Sequence, residues 1–273
     1  MGRSRPAGGA LTDPTYWDDY WRDLELPADV TPGAHTAIDP ILEVIDRFVA
    51  SDSPLSVLEI GGAPGRFLAH IWRRFGHRVC LLDSSPVGIE VARRNFNLLG
   101  VPGEVIGGDF LVSYDAAPQF DVVLSLGLIE HFGDAQSAVA AHLRYLSPGG
   151  TLIVGCPNYQ GVNLALARRF SPSSLRGHNV DATRIDVWQR FERELGLEVR
   201  FRGYIGGFQP AMFGRCDRTS AVHRAVGRAF ALAGRGMDRL NRRTGGRVST
   251  LMNRWNSPRW SHYVLGVYRK GSS

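Results

Sequence analysis

From residue 55 onward, short apolar runs alternate with segments whose apolar residues recur every three or four positions. Residues 55–60, 78–82, 103–109, 120–126 and 151–156 read as strands, with helices near 65–75, 85–99 and 135–146 between them. Such β–α alternation predicts a mostly parallel, doubly wound α/β sheet, because parallel strands need crossover connections that cover both faces. A helix over 183–195 and strands over 197–204 and 261–269 follow, bringing the strands to seven. Upstream, residues 1–12 are rich in Gly, Pro and Ala and are expected to fray. Asp13-Pro14 then supplies a cap and a first helical residue for a helix with Tyr16/Tyr20 and Trp17/Trp21 at i,i+4 spacing. A second helix is expected over roughly 38–50, with Ile41, Leu42, Ile45, Phe48 and Val49 on one side. Between the last two strands, Val222, Val226, Phe230, Ala233, Met237 and Leu240 alternate with arginines, which predicts an amphipathic helix or helical pair inserted there.

Composition narrows the class. With 273 residues, 44% hydrophobic and 21% charged, the chain suits one large α/β domain with an elaboration, and wholesale disorder is excluded. The formal charge of +6 is unevenly placed. Residues 200–273 hold 15 Lys and Arg against Asp217 and Asp238, a net of +13, so the remainder carries −7. Lys270 is the only lysine. An arginine-rich helix suits RNA backbone, an anionic membrane surface or an anionic substrate; equally, it is the solvated face of an insertion that caps the fold or joins copies into a homo-oligomer. No RNA-binding module accompanies it, so nucleic acid is not the expected partner.

Cys80, Cys156 and Cys216 are odd in number and far apart, which fits a reducing compartment and neither a disulfide scaffold nor a cysteine zinc site. The N-terminus lacks an apolar h-region, and Pro6 breaks the myristoylation pattern. The uncharged run 145–167 is broken by Pro148, Gly149, Gly150, Pro157 and Asn158, so no membrane span is expected. A soluble, cytoplasmic protein is the expectation.

The most informative stretch is VLEIGGAPGRF (57–67): an apolar strand, an acid and a glycine-rich turn opening a helix. In open α/β sheets ligands bind beyond the carboxyl ends of the strands, and glycine lets backbone approach them. The turn is not a Walker loop, which needs Gly-Lys-Ser/Thr, and its glycines miss the G-x-G-x-x-G spacing. Asp83 follows Gly61 by 22 residues, at a strand end where a carboxylate can accept two ribose hydroxyls. Asp109-Phe110 ends the next strand; the acid either takes an adenine amino group, with Phe110 stacking, or caps a turn.

These segments, with LLDSSP (81–86), GGDF (107–110), FDVVLSLGLIEHF (120–132) and LSPGGTLIVGCPN (146–158), make the chain similar to the class I S-adenosylmethionine-dependent methyltransferases. Within that family it most resembles the small-molecule branch that includes quinone-biosynthesis enzymes. The resemblance implies an antiparallel last strand, an N-terminal helical lid and S-adenosylmethionine as cofactor. It also implies Gly61, Gly62 and Gly65 beneath the methionine part, with Glu59 before them and Leu126 beyond. Asp83 and Ser84 would lie at the ribose, and Asp109 and Phe110 at the adenine. Ala63 departs from the usual glycine and tightens the loop. The implied organisation is a tail and lid over 1–50, a cofactor-binding core over 51–209, a basic helical insertion over 210–260, and the last core strand and tail over 261–273.

Methyl transfer from a sulfonium needs alignment, water exclusion and, for a hydroxyl acceptor, a base. Glu130-His131 follows the fourth strand: His131 is either the proton acceptor or a shaper of the pocket, and Glu130 orients it or meets a cationic substrate. His178 faces the acceptor or caps a loop. Tyr16, Tyr20 and Trp21, with Trp17, cover the acceptor site or pack on the sheet. No Asn/Asp-Pro-Pro-Tyr or Pro-Cys follows the fourth strand, which argues against amino-group methylation of nucleobases and cytosine C5 chemistry. No carboxylate cluster is legible, so no metal is expected. The expected activity is transfer to a small-molecule O, N or C acceptor of secondary metabolism. The alternatives are a non-catalytic cofactor-binding scaffold, or RNA methylation through the basic segment.

Overall fold

All five apolar runs predicted between residues 55 and 156 are strands of one sheet, and the two later ones complete it. The computed structural model describes residues 9–12, 14–112, 118–214, 217 and 220–271. Strands β1 (Ser56–Ile60), β2 (Arg78–Asp83), β3 (Glu104–Gly107), β4 (Phe120–Leu126), β5 (Leu146–Pro157), β6 (Glu198–Ile205) and β7 (Tyr263–Arg269) lie in the order β3-β2-β1-β4-β5-β7-β6. The first five pair in parallel; β7 runs antiparallel to both β5 and β6. Strand order reverses at β1, which opens a crevice beyond the carboxyl ends of β1 and β4.

Ten helices wrap the described sheet: α1 (Pro14–Arg22), α2 (Asp39–Val49), α3 (Arg66–Phe75), α4 (Pro86–Leu99), α5 (Ala135–His142), α6 (Gly161–Phe170), α7 (Pro172–Leu175), α8 (Ile185–Glu194), α9 (Ala221–Arg243) and α10 (Arg247–Met252). Alternation along β1 divides the core. Val57 packs with Ile45 of α2, Leu68 of α3 and Phe96 of α4, while Leu58 and Ile60 pack on the other face with Val139 of α5 and Trp188 of α8. Burial on both faces explains why these strands read as near-continuous apolar runs. Helix ends follow local chemistry. Ser85 accepts the Gly88 N–H at 2.9 Å, Pro86 occupies the first turn of α4, and Gly100 closes it at φ +68°.

Three differences from expectation have physical causes. Asp13, the predicted cap of α1, lies outside the described residues, but residues 9–12 do not fray as a tail. The Leu11 N–H donates to the His131 carbonyl at 2.7 Å, and Ala10 bridges Phe132. Helix α6 was not legible, because it buries only Asn163 and Ala167 and leaves Val162 exposed. It is fixed instead by Asn158, whose Oδ1 accepts the Gln160 N–H and whose carbonyl accepts from Asn163. Finally, the inner line of α9 is Gly227, Gly234 and Asn241, while Val222 and Leu240 of the predicted apolar stripe are exposed. A Cβ on Gly234 would stand 2.7 Å from Ala211, so close backbone approach seats this helix, and of the predicted stripe Phe230 joins it by packing on Phe213 and Phe170.

Asn241 reaches a buried hub. Asp39 accepts the Gly33 N–H at 3.0 Å through Oδ1, and Asn241 Nδ2 at 2.6 Å and the Ser249 hydroxyl at 2.9 Å through Oδ2. Asp39→Ala strands the Gly33 N–H and takes one acceptor each from Asn241 and Ser249, which also reach the Gly33 and Gly246 carbonyls. We expect it to cost about 2 kcal/mol in urea unfolding, since a buried orphan costs ~1–3 kcal/mol. Trypsin should also cut the arginines of α9 faster in this variant. A loss below about 1 kcal/mol, the net contribution of a single ordinary hydrogen bond, would show that the hub does not hold the insertion.

Candidate active site

Two cavities meet at the crevice beyond β1 and β4. One, of about 460 Å³, is lined by Asp83, Ser84, Asp109 and Phe110 at the ends of β2 and β3. The other, of about 380 Å³, is lined by Glu59, Gly62, Leu126, Glu130 and the aromatic residues of α1. Gly61, Trp17 and His131 line both, so the two cavities adjoin at these residues.

The glycine turn is built by β1 and α3 together. Gly61 adopts φ +65°, and a Cβ there would meet the Leu128 side chain at 2.9 Å. Gly62 sits on Glu59: a Cβ would stand 2.2 Å from that side chain. The Glu59 carboxyl is 1% exposed and is pushed up to about 8 by burial, against the pull of Arg66 and the Leu68 N–H at the start of α3 and with Asp83 adding to the rise. Gly65 stands apart. It caps α3 at φ +81°, a Cβ there would strike Phe96, and it lines neither cavity.

Asp83 is held by backbone. Its Oδ1 accepts the Ser85 N–H at 2.9 Å and its Oδ2 the Ala63 N–H at 3.4 Å. Burial raises its pKa and these N–H groups oppose the rise. Asp109 accepts the Leu111 N–H at 2.9 Å, so the turn-capping reading and the cavity-lining position coexist. Phe110 is buried, edge-on to Phe132 and His142 with ring centroids 5.6 and 5.0 Å away.

Helix α1 covers both cavities. Its Trp17 ring stands 4.8 Å from His131 at 81°, and Trp17 and Trp21 stack at 6.3 Å, as do Tyr16 and Tyr20 at 6.4 Å. Trp21 lies over Gly88, and the Ser85 hydroxyl donates to Asp18 at 2.5 Å, so covering the cavities and packing on α4 are one arrangement. His131 donates from Nδ1 to the Gly177 carbonyl at 2.7 Å, and burial, with His178 beside it, drives its pKa down to about 4. Glu130 is pushed up to about 8 by burial. His178 lines neither cavity, yet its ring lies 4.5 Å from His131. Cys156 and Asn158 are both fully buried, Asn158 donating to the Ser261 and Pro258 carbonyls, so they serve core and turn.

Arg66, Gln209, Met212 and His262 also line the second cavity, and sequence reasoning passed over all four. Arg66 had a signal, as the first residue of the helix behind the glycine turn. The others reach the cavity only through the placement of the insertion and β7. Among the described residues, no helix is long and apolar enough to cross a membrane.

A family model described as a methyltransferase domain matches residues 34–200. The ubiquinone biosynthesis O-methyltransferase of Methylobacterium nodulans is 32% identical over 113 residues, covering 41% of this chain and 45% of the relative. The enzyme of the same name from Ruegeria is 30% identical over 125 residues, 45% of this chain and 50% of the relative. The chain therefore spans about half the length of these curated relatives. Among solved structures, an S-adenosylmethionine-dependent methyltransferase from Thiobacillus denitrificans, in complex with S-adenosyl-L-homocysteine, has a TM-score of 0.54 at 18% identity, covering 94% of this chain and 98% of that one. At that identity it speaks for the fold.

Proposed function

Because the chain belongs to the class I S-adenosylmethionine-dependent methyltransferases, we propose that it transfers the cofactor's methyl group to a hydroxyl oxygen of a small aromatic acceptor. The observation that carries this reading is the junction at Gly61, with a carboxylate-bearing cavity on one side and an aromatic cavity holding Glu130 and His131 on the other. Asp83 and Ser84 take the ribose, and Asp109 and Phe110 the adenine. Gly61 and Gly62 run beneath the methionine part, with Glu59 supporting them and Gly65 shaping the turn. Leu126 walls the sulfonium. Held so, the cofactor would present its methyl group to the second cavity, whose volume of about 380 Å³ suits a small molecule.

Tyr16, Tyr20 and Trp21 enclose the acceptor and exclude water, and His178 backs His131 at the inner end. Alignment of oxygen, methyl carbon and sulfur supplies much of the rate. The His131 Nε2, opposite the nitrogen bound to Gly177, accepts the hydrogen of the acceptor hydroxyl, and Glu130 fixes the polarity of that corner. Oxygen is chosen over nitrogen or carbon because the curated relatives are named O-methyltransferases. A cytoplasmic location goes with this reading, since Cys80 and Cys156 are free and buried.

The test is transfer from methyl-labelled S-adenosylmethionine to a panel of catechols and phenols, with the methylated atom located by NMR. Failure of S-adenosylhomocysteine to bind at millimolar concentration in calorimetry sinks the reading. His131→Ala should lower kcat by about 100-fold, the usual range for a lost proton acceptor, while leaving S-adenosylhomocysteine affinity intact. Unchanged kcat would remove His131 from the chemistry.

A further inference from the structure

Beside the second cavity three polar side chains converge: Glu130 and His131, which line it, and His178 behind them. The His131 Nδ1 lies 2.7 Å from the Gly177 carbonyl oxygen, and the His178 Nδ1 is hydrogen-bonded to the Ser174 carbonyl oxygen. A carbonyl oxygen only accepts, so each Nδ1 carries the hydrogen and each Nε2 presents a bare lone pair. The third group is the Glu130 carboxylate, whose Oε1 stands 3.9 Å from the His131 Nε2, too far for a hydrogen bond. Glu130 is 1% exposed, and its Oε2 has no hydrogen-bond partner. One ligand atom from each of the three residues lies within 4.8 Å of the other two. Polar groups that converge in a buried corner are costly unless paired, and a cation among them would pair all three.

We propose that Glu130, His131 and His178 form a site for a first-row divalent cation of the zinc or iron(II) type, at which the acceptor hydroxyl is coordinated. This deepens the proposed methyl transfer and rests on it for the identity of the acceptor. Two imidazole nitrogens and one carboxylate are a donor set these ions favour, and they leave positions open for substrate. Ligating histidines characteristically donate their second ring nitrogen to a carbonyl, which fixes tautomer and orientation, and both rings do so here. The scaffold is also clamped. The Asn179 N–H donates to the Glu130 carbonyl at 2.6 Å, and Asn179 Nδ2 donates to the Phe132 and Gly133 carbonyls, each at 3.0 Å. That ties the loop bearing His178 to the turn bearing Glu130 and His131. No motif announces the site, because its third ligand comes from a loop beyond β5 and α6.

A cation held here lowers the pKa of a coordinated hydroxyl, whose proton passes to solvent. The resulting oxyanion attacks the methyl carbon: an O–C bond forms, the C–S bond breaks, and its electron pair stays on sulfur as the thioether. With the cation present, His131 is its ligand, and acidification comes from coordination.

The test uses the full chain, stripped with a chelator and titrated with Co²⁺, whose visible absorption reports coordination. A saturable spectrum at one equivalent is expected. His178→Ala and Glu130→Gln should each weaken Co²⁺ binding by about 100-fold, with S-adenosylhomocysteine affinity unchanged in calorimetry. His178 lies in a half-buried loop, so its variant guards against a folding failure at Glu130. Absence of a saturable spectrum in the unsubstituted chain overturns the proposal, as does a His178→Ala chain that binds Co²⁺ as tightly. The two readings fail separately: methyl transfer without cation binding sinks the cation site alone, and Co²⁺ binding without S-adenosylhomocysteine binding sinks only the cofactor reading.

Discussion

Asp83→Ala is expected to weaken S-adenosylhomocysteine binding by about 100-fold or more. Each hydrogen bond to an ionised carboxylate contributes ~1.5–3 kcal/mol, and a ribose offers two. The carboxylate also holds protein, since it accepts the Ser85 and Ala63 N–H groups. Part of the loss would therefore come from a loosened turn. Asp83→Asn separates the contributions: it keeps an acceptor for the backbone while removing the charge, and an intermediate loss of about 10-fold is expected. Burial raises the Asp83 pKa. A ligand that prefers the ionised carboxylate must then lose affinity, as pH falls, earlier than an ordinary aspartate would dictate. Calorimetry across acid pH reads this directly. Equal affinity of Asp83→Ala and the unsubstituted chain would overturn the ribose assignment.

How far the sequence reached depended on the range of the forces involved. Strands buried on both faces announce themselves as apolar runs, and all seven were legible. Glu59, Gly61, Gly62 and Asp83 were legible as positions because strand ends and a turn fix them locally, and each stands at a cavity wall. Gly65 shares their motif but faces Phe96, since it lies three residues past Gly62, where the turn has already reached the cap of α3. The meeting of His131 with His178 was not legible, because the clamp by Asn179 is a tertiary bond between distant segments. Nor was the seat of α9. Hydropathy favoured Val222 and Leu240, whereas Gly227, Gly234 and Asn241 make the approach and carry almost no apolar signal. Small residues and single buried polar groups can determine docking at helical spacing without leaving a hydropathy trace.

Gly62→Ala should be nearly as damaging as loss of Asp83, for a reason that belongs to space alone. The backbone at Gly62 has no positive φ, unlike Gly61 and Gly65, so alanine is conformationally acceptable there. The obstacle is Glu59, whose Cγ and Cδ would both stand 2.2 Å from the new Cβ. Glu59 cannot swing away cheaply, being 1% exposed and engaged with the Leu68 N–H. The turn must move instead. Overpacking of this kind costs about 3 kcal/mol of stability, and a displaced turn should lower S-adenosylhomocysteine affinity by at least about 10-fold, the equivalent of ~1.4 kcal/mol. Gly76→Ala is the contrasting control. At φ +69° with nothing within 4 Å of a Cβ, it should cost only the ~1–2 kcal/mol of left-handed backbone, with affinity unchanged. A double-mutant cycle identifies the cause. Glu59→Ala alone loses the support of α3, but combined with Gly62→Ala it removes the atoms in the way. The pair should then be less destabilised than the sum of the singles by about 2 kcal/mol, within the range of coupling between touching residues. Strict additivity would mean that Gly62 is required for some reason other than the carboxylate side chain packed beneath it.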